Sequence, residues 1–99
     1  MEYSMRILAR NAAEYGVNCN VIIPGAVETE AWSRLQEKRG GVDILGTVSQ
    51  KAPLGHAPIQ PTDIGDAVSF LARPSGGGRF ITGVSLPVDA GLSVATSWV

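Results

Sequence analysis

The stretch Val17-Asn18-Cys19-Asn20-Val21-Ile22-Ile23-Pro24-Gly25-Ala26-Val27-Glu28-Thr29 decides the fold of this 99-residue chain. Val21-Ile22-Ile23 is an unbroken β-branched run, and Pro24-Gly25 closes it. A strand wet on one face alternates apolar and polar residues. A continuous apolar run instead marks a strand covered on both faces, as in the parallel sheets of α/β proteins. The spacing predicts a strand over 17–23 and a loop from 24 onward.

Before this strand, Met1, Met5, Leu8, Ala9, Ala12 and Ala13 recur at three- and four-residue spacing, which predicts an amphipathic helix over 1–15 stopped by Gly16. After it, a short helix is expected from Glu28 or Thr29 to about Arg39, ended by Gly40-Gly41. Residues 42–60 read as irregular, with room for a helical turn or two in 43–51. Pro61-Thr62-Asp63-Ile64 opens a clear helix, with Thr62 or Asp63 as its cap and Ile64, Ala67, Val68 and Leu71 as its apolar stripe. It stops before Pro74, and Ser75-Gly76-Gly77-Gly78 reads as a flexible turn. A second strand is predicted over 80–88, interrupted by Gly83, followed by Asp89-Ala90-Gly91 and a small-residue tail.

The order is helix, strand, helical loop region, helix, strand. A strand, a helix and a parallel strand in sequence imply a right-handed crossover. Two strands alone make a marginal sheet. Residues 1–99 are therefore expected to form a single partial α/β domain, the edge of a larger parallel sheet.

Composition agrees. Lys and Arg number 8 against 9 Asp and Glu, a formal charge of −1, which argues against nucleic acid or an anionic membrane surface as partner. Charged residues are 17% of the chain, below the roughly 25% usual for soluble domains, while apolar residues are 44%. Such a surface expects to be covered. No apolar stretch approaches the ~20 residues of a membrane span, and the first residues lack the apolar core of a signal peptide. The expected location is cytoplasmic. The single Cys19 excludes an internal disulfide, and its apolar run suggests a buried, inert thiol. One His, His56, with one distant Cys makes no metal site.

Several marks together resemble the short-chain dehydrogenase/reductases, nicotinamide-dependent oxidoreductases with a Rossmann-type sheet. Leu8 through Gly16 is similar to the helix after the family's catalytic Tyr-x-x-x-Lys segment. Val17-Asn18-Cys19-Asn20-Val21 resembles its sixth strand, and Pro24-Gly25-x-x-x-Thr29 its Pro-Gly loop. Pro53-Leu54-Gly55-His56, then Pro61-Thr62-Asp63-Ile64, resembles its Pro-Leu-Gly-Arg and Pro-Glu-Asp-Ile-Ala stretch. Ile81-Thr82-Gly83 and Val88-Asp89-Ala90-Gly91 look like the seventh strand and its Asp-Gly-Gly end. The resemblance spans about residues 6–91 and matches the C-terminal portion of the family.

The resemblance implies NAD or NADP as cofactor and alcohol/ketone oxidoreduction. It implies that Pro24, Gly25, Val27 and Thr29 meet the nicotinamide: Pro24 stiffens the turn, Gly25 allows close approach, the backbone near Val27 meets the carboxamide, and Thr29 bonds the amide or phosphate. From spacing alone, the same segment is an ordinary strand-ending turn with Thr29 as a helix N-cap. No Gly-rich dinucleotide fingerprint is present, since Gly76-Gly77-Gly78 follows a helix and precedes a strand, the reverse of the required order. The family's Ser, Tyr and Lys also lack counterparts: Tyr3 has Ile7 where Lys is needed, and Arg6 is no proton relay. The chain alone is expected to be inactive.

Three partners are implied: a second copy, through helix 1–15 and the 62–90 helix and strand edge; a separate N-terminal chain that completes a split enzyme; or an unrelated ligand in the pockets of a non-enzymatic oligomer.

Overall fold

The computed structural model describes residues 2–55 and 57–95. Two parallel strands, β1 (Val21–Pro24) and β2 (Ser85–Val88), pair in the register Val21↔Ser85 to Pro24↔Val88. Helix α1 (Glu2–Ala13) precedes β1, and α2 (Glu30–Lys38), α3 (Ile44–Ser49) and α4 (Pro61–Ala72) carry the chain across to β2. A 3-10 turn, Gly77–Phe80, and a short α5 (Leu92–Ala95) complete the element order. This is the α/β arrangement expected from the sequence: a partial Rossmann-type sheet.

Side-chain alternation places the helices. Val21 lines a cleft with Met5 and Leu8 of α1, whereas Ile22 lines one with Val68 and Leu71 of α4. Consecutive strand residues point to opposite faces, so α1 and α4 cover opposite sides of β1. Cover is incomplete: Val21 and Ile22 are half-buried and Ile23 is exposed, because the clefts, of about 550 and 600 Å³, lie open beside the strand. Buried apolar residues are Met5, Ala9, Ala26, Leu45, Ala52 and Leu71, small or single contributions from separate elements. The radius of gyration, 16.3 Å, exceeds the about 13 Å of a compact chain of 100 residues.

Hydrogen bonds define the sheet edges. Val21 and Gly25 donate their N–H groups to Val84 and Val88 carbonyls, at 2.9 and 3.0 Å. In a parallel ladder alternate residues turn to alternate sides. Ile22 and Pro24 therefore face the outer side of β1, and Ser85 and Pro87 the outer side of β2. Each outer side thus carries one proline.

The strands are shorter than predicted, for a specific reason. Ahead of β1 and β2, one backbone bond, from Gly83 N–H to Cys19 C=O at 2.8 Å, is joined by side-chain bonds from Asn18 and Asn20. Asn20 Nδ2 donates to Ile81 C=O at 3.0 Å, and Val84 N–H donates to Asn20 Oδ1 at 3.0 Å. Asn18 Nδ2 reaches the Arg79 and Ile81 carbonyls at 3.1 and 2.9 Å. Residues 17–20 and 81–84 lie outside the ladder strands, and Gly83, at φ +77°, bends the second stretch just before β2. The turn at 75–78 is also more ordered than expected. It feeds the 3-10 turn, with Gly78 packed so closely on the Phe70 carbonyl that no side chain fits.

Helix ends follow the glycine pattern. At α1, Val17 N–H reaches Ala12 C=O and Gly16 N–H reaches Ala13 C=O, with Gly16 at φ +72°. Gly41 and Gly40 close α2 through Gln36 and Glu37 in the same way. The start of α4 differs from the sequence expectation. Gln60 is the N-cap, Pro61 is the first helical residue, and Asp63 reaches back to accept from Gln60 N–H at 2.8 Å. Asp43 caps α3 by accepting from Gly46 N–H at 2.9 Å. On α1, Leu8 and Ala13 are exposed while Met5 and Ala9 are buried. His56, read above as no part of a metal site, lies outside the described residues, as does Met1.

Candidate functional site

Open α/β sheets bind ligands beyond the carboxyl ends of their strands. Here those ends are Pro24 and Val88, and the segments leaving them, 25–29 and 89–91, pack side by side. A Cβ on Gly25 would lie 2.8 Å from Asp89 Cα and 3.3 Å from Ile59 Cδ1. Gly25 is therefore required by the approach of Asp89, whatever else the loop meets.

The loop continues as an added piece of sheet. Val27 forms an isolated parallel bridge with Ile59: Ile59 N–H donates to Ala26 C=O at 3.0 Å, and Glu28 N–H donates to Ile59 C=O at 2.8 Å. A trans peptide sets N–H and C=O in opposite directions. With Ala26 C=O and Glu28 N–H both turned to Ile59, the N–H and C=O of Val27 turn the other way. Two residues on, Thr29 occupies the N-cap of α2 with extended backbone, yet its side chain makes no capping bond. Gln60 Nε2 ties Glu28 to the start of α4, 2.7 Å from Oε2.

Asp89 organises the other segment. Its carboxylate accepts from Gly91 and Ser93 N–H groups, each at 3.0 Å. Hydrogen bonding, from the Ser93 side chain first, holds its pKa below the ordinary 3.8 despite opposing burial. Ala90 follows at φ +55°, the position where the family pattern has glycine. Its carbonyl accepts from Leu54 N–H at 2.8 Å, which ties Leu54 to the segment leaving β2.

Pro24, Gly25, Val27 and Thr29 are thus brought together on one loop at the carboxyl end of the sheet. Sequence reasoning missed Ile59 and Gln60 as its supports. The signal was available: a polar residue before proline, with Asp three positions later, is a capping pattern. Cys19 is half-buried and lines the 550 Å³ cleft beside α1, instead of being sealed in a strand. Tyr3 stands 78% exposed on α1, away from this loop. Among the described residues there is no group of three or more His, Cys, Asp or Glu side chains able to hold a metal. None of the helices is long and apolar enough to cross a membrane, again among the described residues.

Comparison with known proteins gives the class. Residues 1–93 match the family model described as enoyl-(acyl carrier protein) reductase. The chain belongs to the short-chain dehydrogenase/reductase family. It is 36% identical over 84 residues to the (3R)-3-hydroxyacyl-CoA dehydrogenase of Mus musculus, covering 85% of this chain and 29% of that protein. Among solved structures, a short-chain dehydrogenase/reductase family oxidoreductase from Burkholderia thailandensis superposes with TM-score 0.79 and 32% identity, over 94% of this chain and 35% of that one. A blue fluorescent protein from a metagenomic library, in complex with NADPH, superposes with TM-score 0.72 and 30% identity, over 93% and 34%. The chain spans about a third of the length of these relatives.

Proposed function

We propose that loop 24–29 is the nicotinamide-facing wall of an NAD- or NADP-dependent oxidoreductase site acting on an alcohol or ketone. The observation that carries this reading is the outward turn of Val27 N–H and C=O, beside a Thr29 hydroxyl that its own helix does not use. A carboxamide has one donor group and one acceptor group, and Val27 offers the complement of both. The nicotinamide, when bound, supplies the hydride chemistry. Val27 and Thr29 hold and orient it, while Pro24 and Gly25 fix the turn on which they stand. The bound NADPH of the metagenomic relative supports a nicotinamide cofactor for the fold.

Pyrophosphate binding and acid–base catalysis call for a Gly-rich turn and a Ser, Tyr and Lys set that residues 1–99 do not supply. We infer that this chain acts as the C-terminal part of a larger oxidoreductase assembly and is inactive alone. The test is an NMR titration of the chain with NADH and NADPH to millimolar concentration. Shifts confined to the amides of 25–29 and 89–91 support the loop assignment. Shifts elsewhere, or none, refute it.

A second reading has its own observation. Tyr3, Ile7 and Leu8 stand exposed on α1, and two clefts flank the outer side of β1. These surfaces suit self-association through α1 and the 62–90 helix and strand edge. Size-exclusion chromatography with light scattering decides it: a monomer with a sharp cooperative melt excludes this reading.

A further inference from the structure

We propose that Gln60 is a positioning residue for the nicotinamide-facing loop, acting through Glu28. The inference rests on the loop assignment above and adds the element that sets the loop's geometry.

Glu28 lies between Val27 and Thr29, the two positions whose polar groups are turned toward the cofactor. Its N–H is bound to Ile59 C=O at 2.8 Å, and its carboxylate accepts from Gln60 Nε2 at 2.7 Å. The first bond fixes the peptide plane that contains Val27 C=O, because that carbonyl and the Glu28 N–H share one rigid unit. The second holds the side chain of the same residue, so Glu28 cannot rotate about its backbone without breaking one bond or the other.

Gln60 is itself anchored. Its N–H donates to Asp63 Oδ2 at 2.8 Å, and its carbonyl accepts from Asp63 N–H at 2.9 Å. Pro61 follows with a fixed φ and begins the 12-residue α4, which packs on both strands and on the 3-10 turn. Gln60 Nε2 also lies 3.3 Å from Pro58 C=O, which limits its swing. The helix end is therefore the rigid reference, and Gln60 transmits it to Glu28. A hydrogen bond to an ionised carboxylate is shorter than a neutral one and about twice as strong.

The test is a charge and donor exchange. Gln60→Glu sets two carboxylates against each other, and the double variant Glu28→Gln with Gln60→Glu restores the bond with its direction reversed. Amide hydrogen exchange at Glu28 and Ile59 and NADH and NADPH titrations by NMR are measured on the full chain and both variants. The expected result for Q60E is exchange at least threefold faster and cofactor affinity reduced three- to tenfold, with both restored to within twofold in the exchanged pair. An unchanged thermal midpoint accompanies these effects, since the pair is exposed. Unchanged exchange in Q60E overturns the role of Gln60, even where cofactor still binds. Faster exchange with unchanged affinity overturns it as well. Exchange that responds as expected in a chain that binds neither cofactor refutes the loop assignment instead.

Discussion

Gly25 and Asp89 meet backbone to backbone at the carboxyl end of the sheet: a Cβ on Gly25 would stand 2.8 Å from Asp89 Cα. One contact thus joins the ends of β1 and β2 below the loop that carries Val27 and Thr29. Gly25→Ala forces the two segments apart. The expected cost is about 1–3 kcal/mol, typical of overpacking at a site that cannot yield. Urea unfolding measures it, and NMR shifts of 89–91 should accompany it.

Ala90 sits at φ +55°, in the left-handed region that costs a non-glycine residue roughly 1–2 kcal/mol. Glycine removes that strain but loses about 0.4–1 kcal/mol through a more flexible unfolded chain. Ala90→Gly is therefore expected to stabilise by up to about 1.6 kcal/mol, and Ala90→Val to destabilise. The pair of denaturation midpoints should move in opposite directions.

Asn20 bonds Ile81 C=O and Val84 N–H at once. Asn20→Ala removes both bonds, at about 0.5–1.5 kcal/mol each. The expected loss is about 1–3 kcal/mol in unfolding free energy. Amide exchange at Val84 should rise more than exchange at Val88, because Val84 loses its partner directly.

Asp89 gives a pH dependence with a definite sign. Its folded pKa lies below the ordinary 3.8, chiefly through the Ser93 side chain, so the folded state favours the carboxylate. The stabilisation is fully present above pH ~4 and is lost as pH falls through the depressed folded value. Stability measured from pH 6 downward should drop more steeply in the native chain than in Asp89→Asn, which has no proton to take up there.

The sequence made the element order legible because its punctuation is strong. Gly16, Gly40-Gly41 and Pro74 end helices where expected, and Val21-Ile22-Ile23 marks β1. Strand length was not legible, because Asn18 and Asn20 bond across to 79–84 through side chains. No local pattern announces bonds between residues more than sixty positions apart. Cover of β1 is partial, in keeping with the expectation of a partial sheet. A fully apolar strand states what its environment should be, and α1 and α4 supply only part of it. At the loop, Pro24, Gly25, Val27 and Thr29 were identified from the family pattern. The fit of Gly25 to Asp89 and the bridge from Val27 to Ile59 came from the fold alone.

The prolines on the two outer sides of the sheet have a consequence for aggregation. Within β1 only Ile22, and within β2 only Ser85, presents an amide hydrogen outward, where an uninterrupted edge of that length would present two. A fibril grows by repeating such bonds layer upon layer, and each missing donor is a missing rung at every layer. Pro24 and Pro87 therefore each remove one rung from the side of the sheet on which they stand.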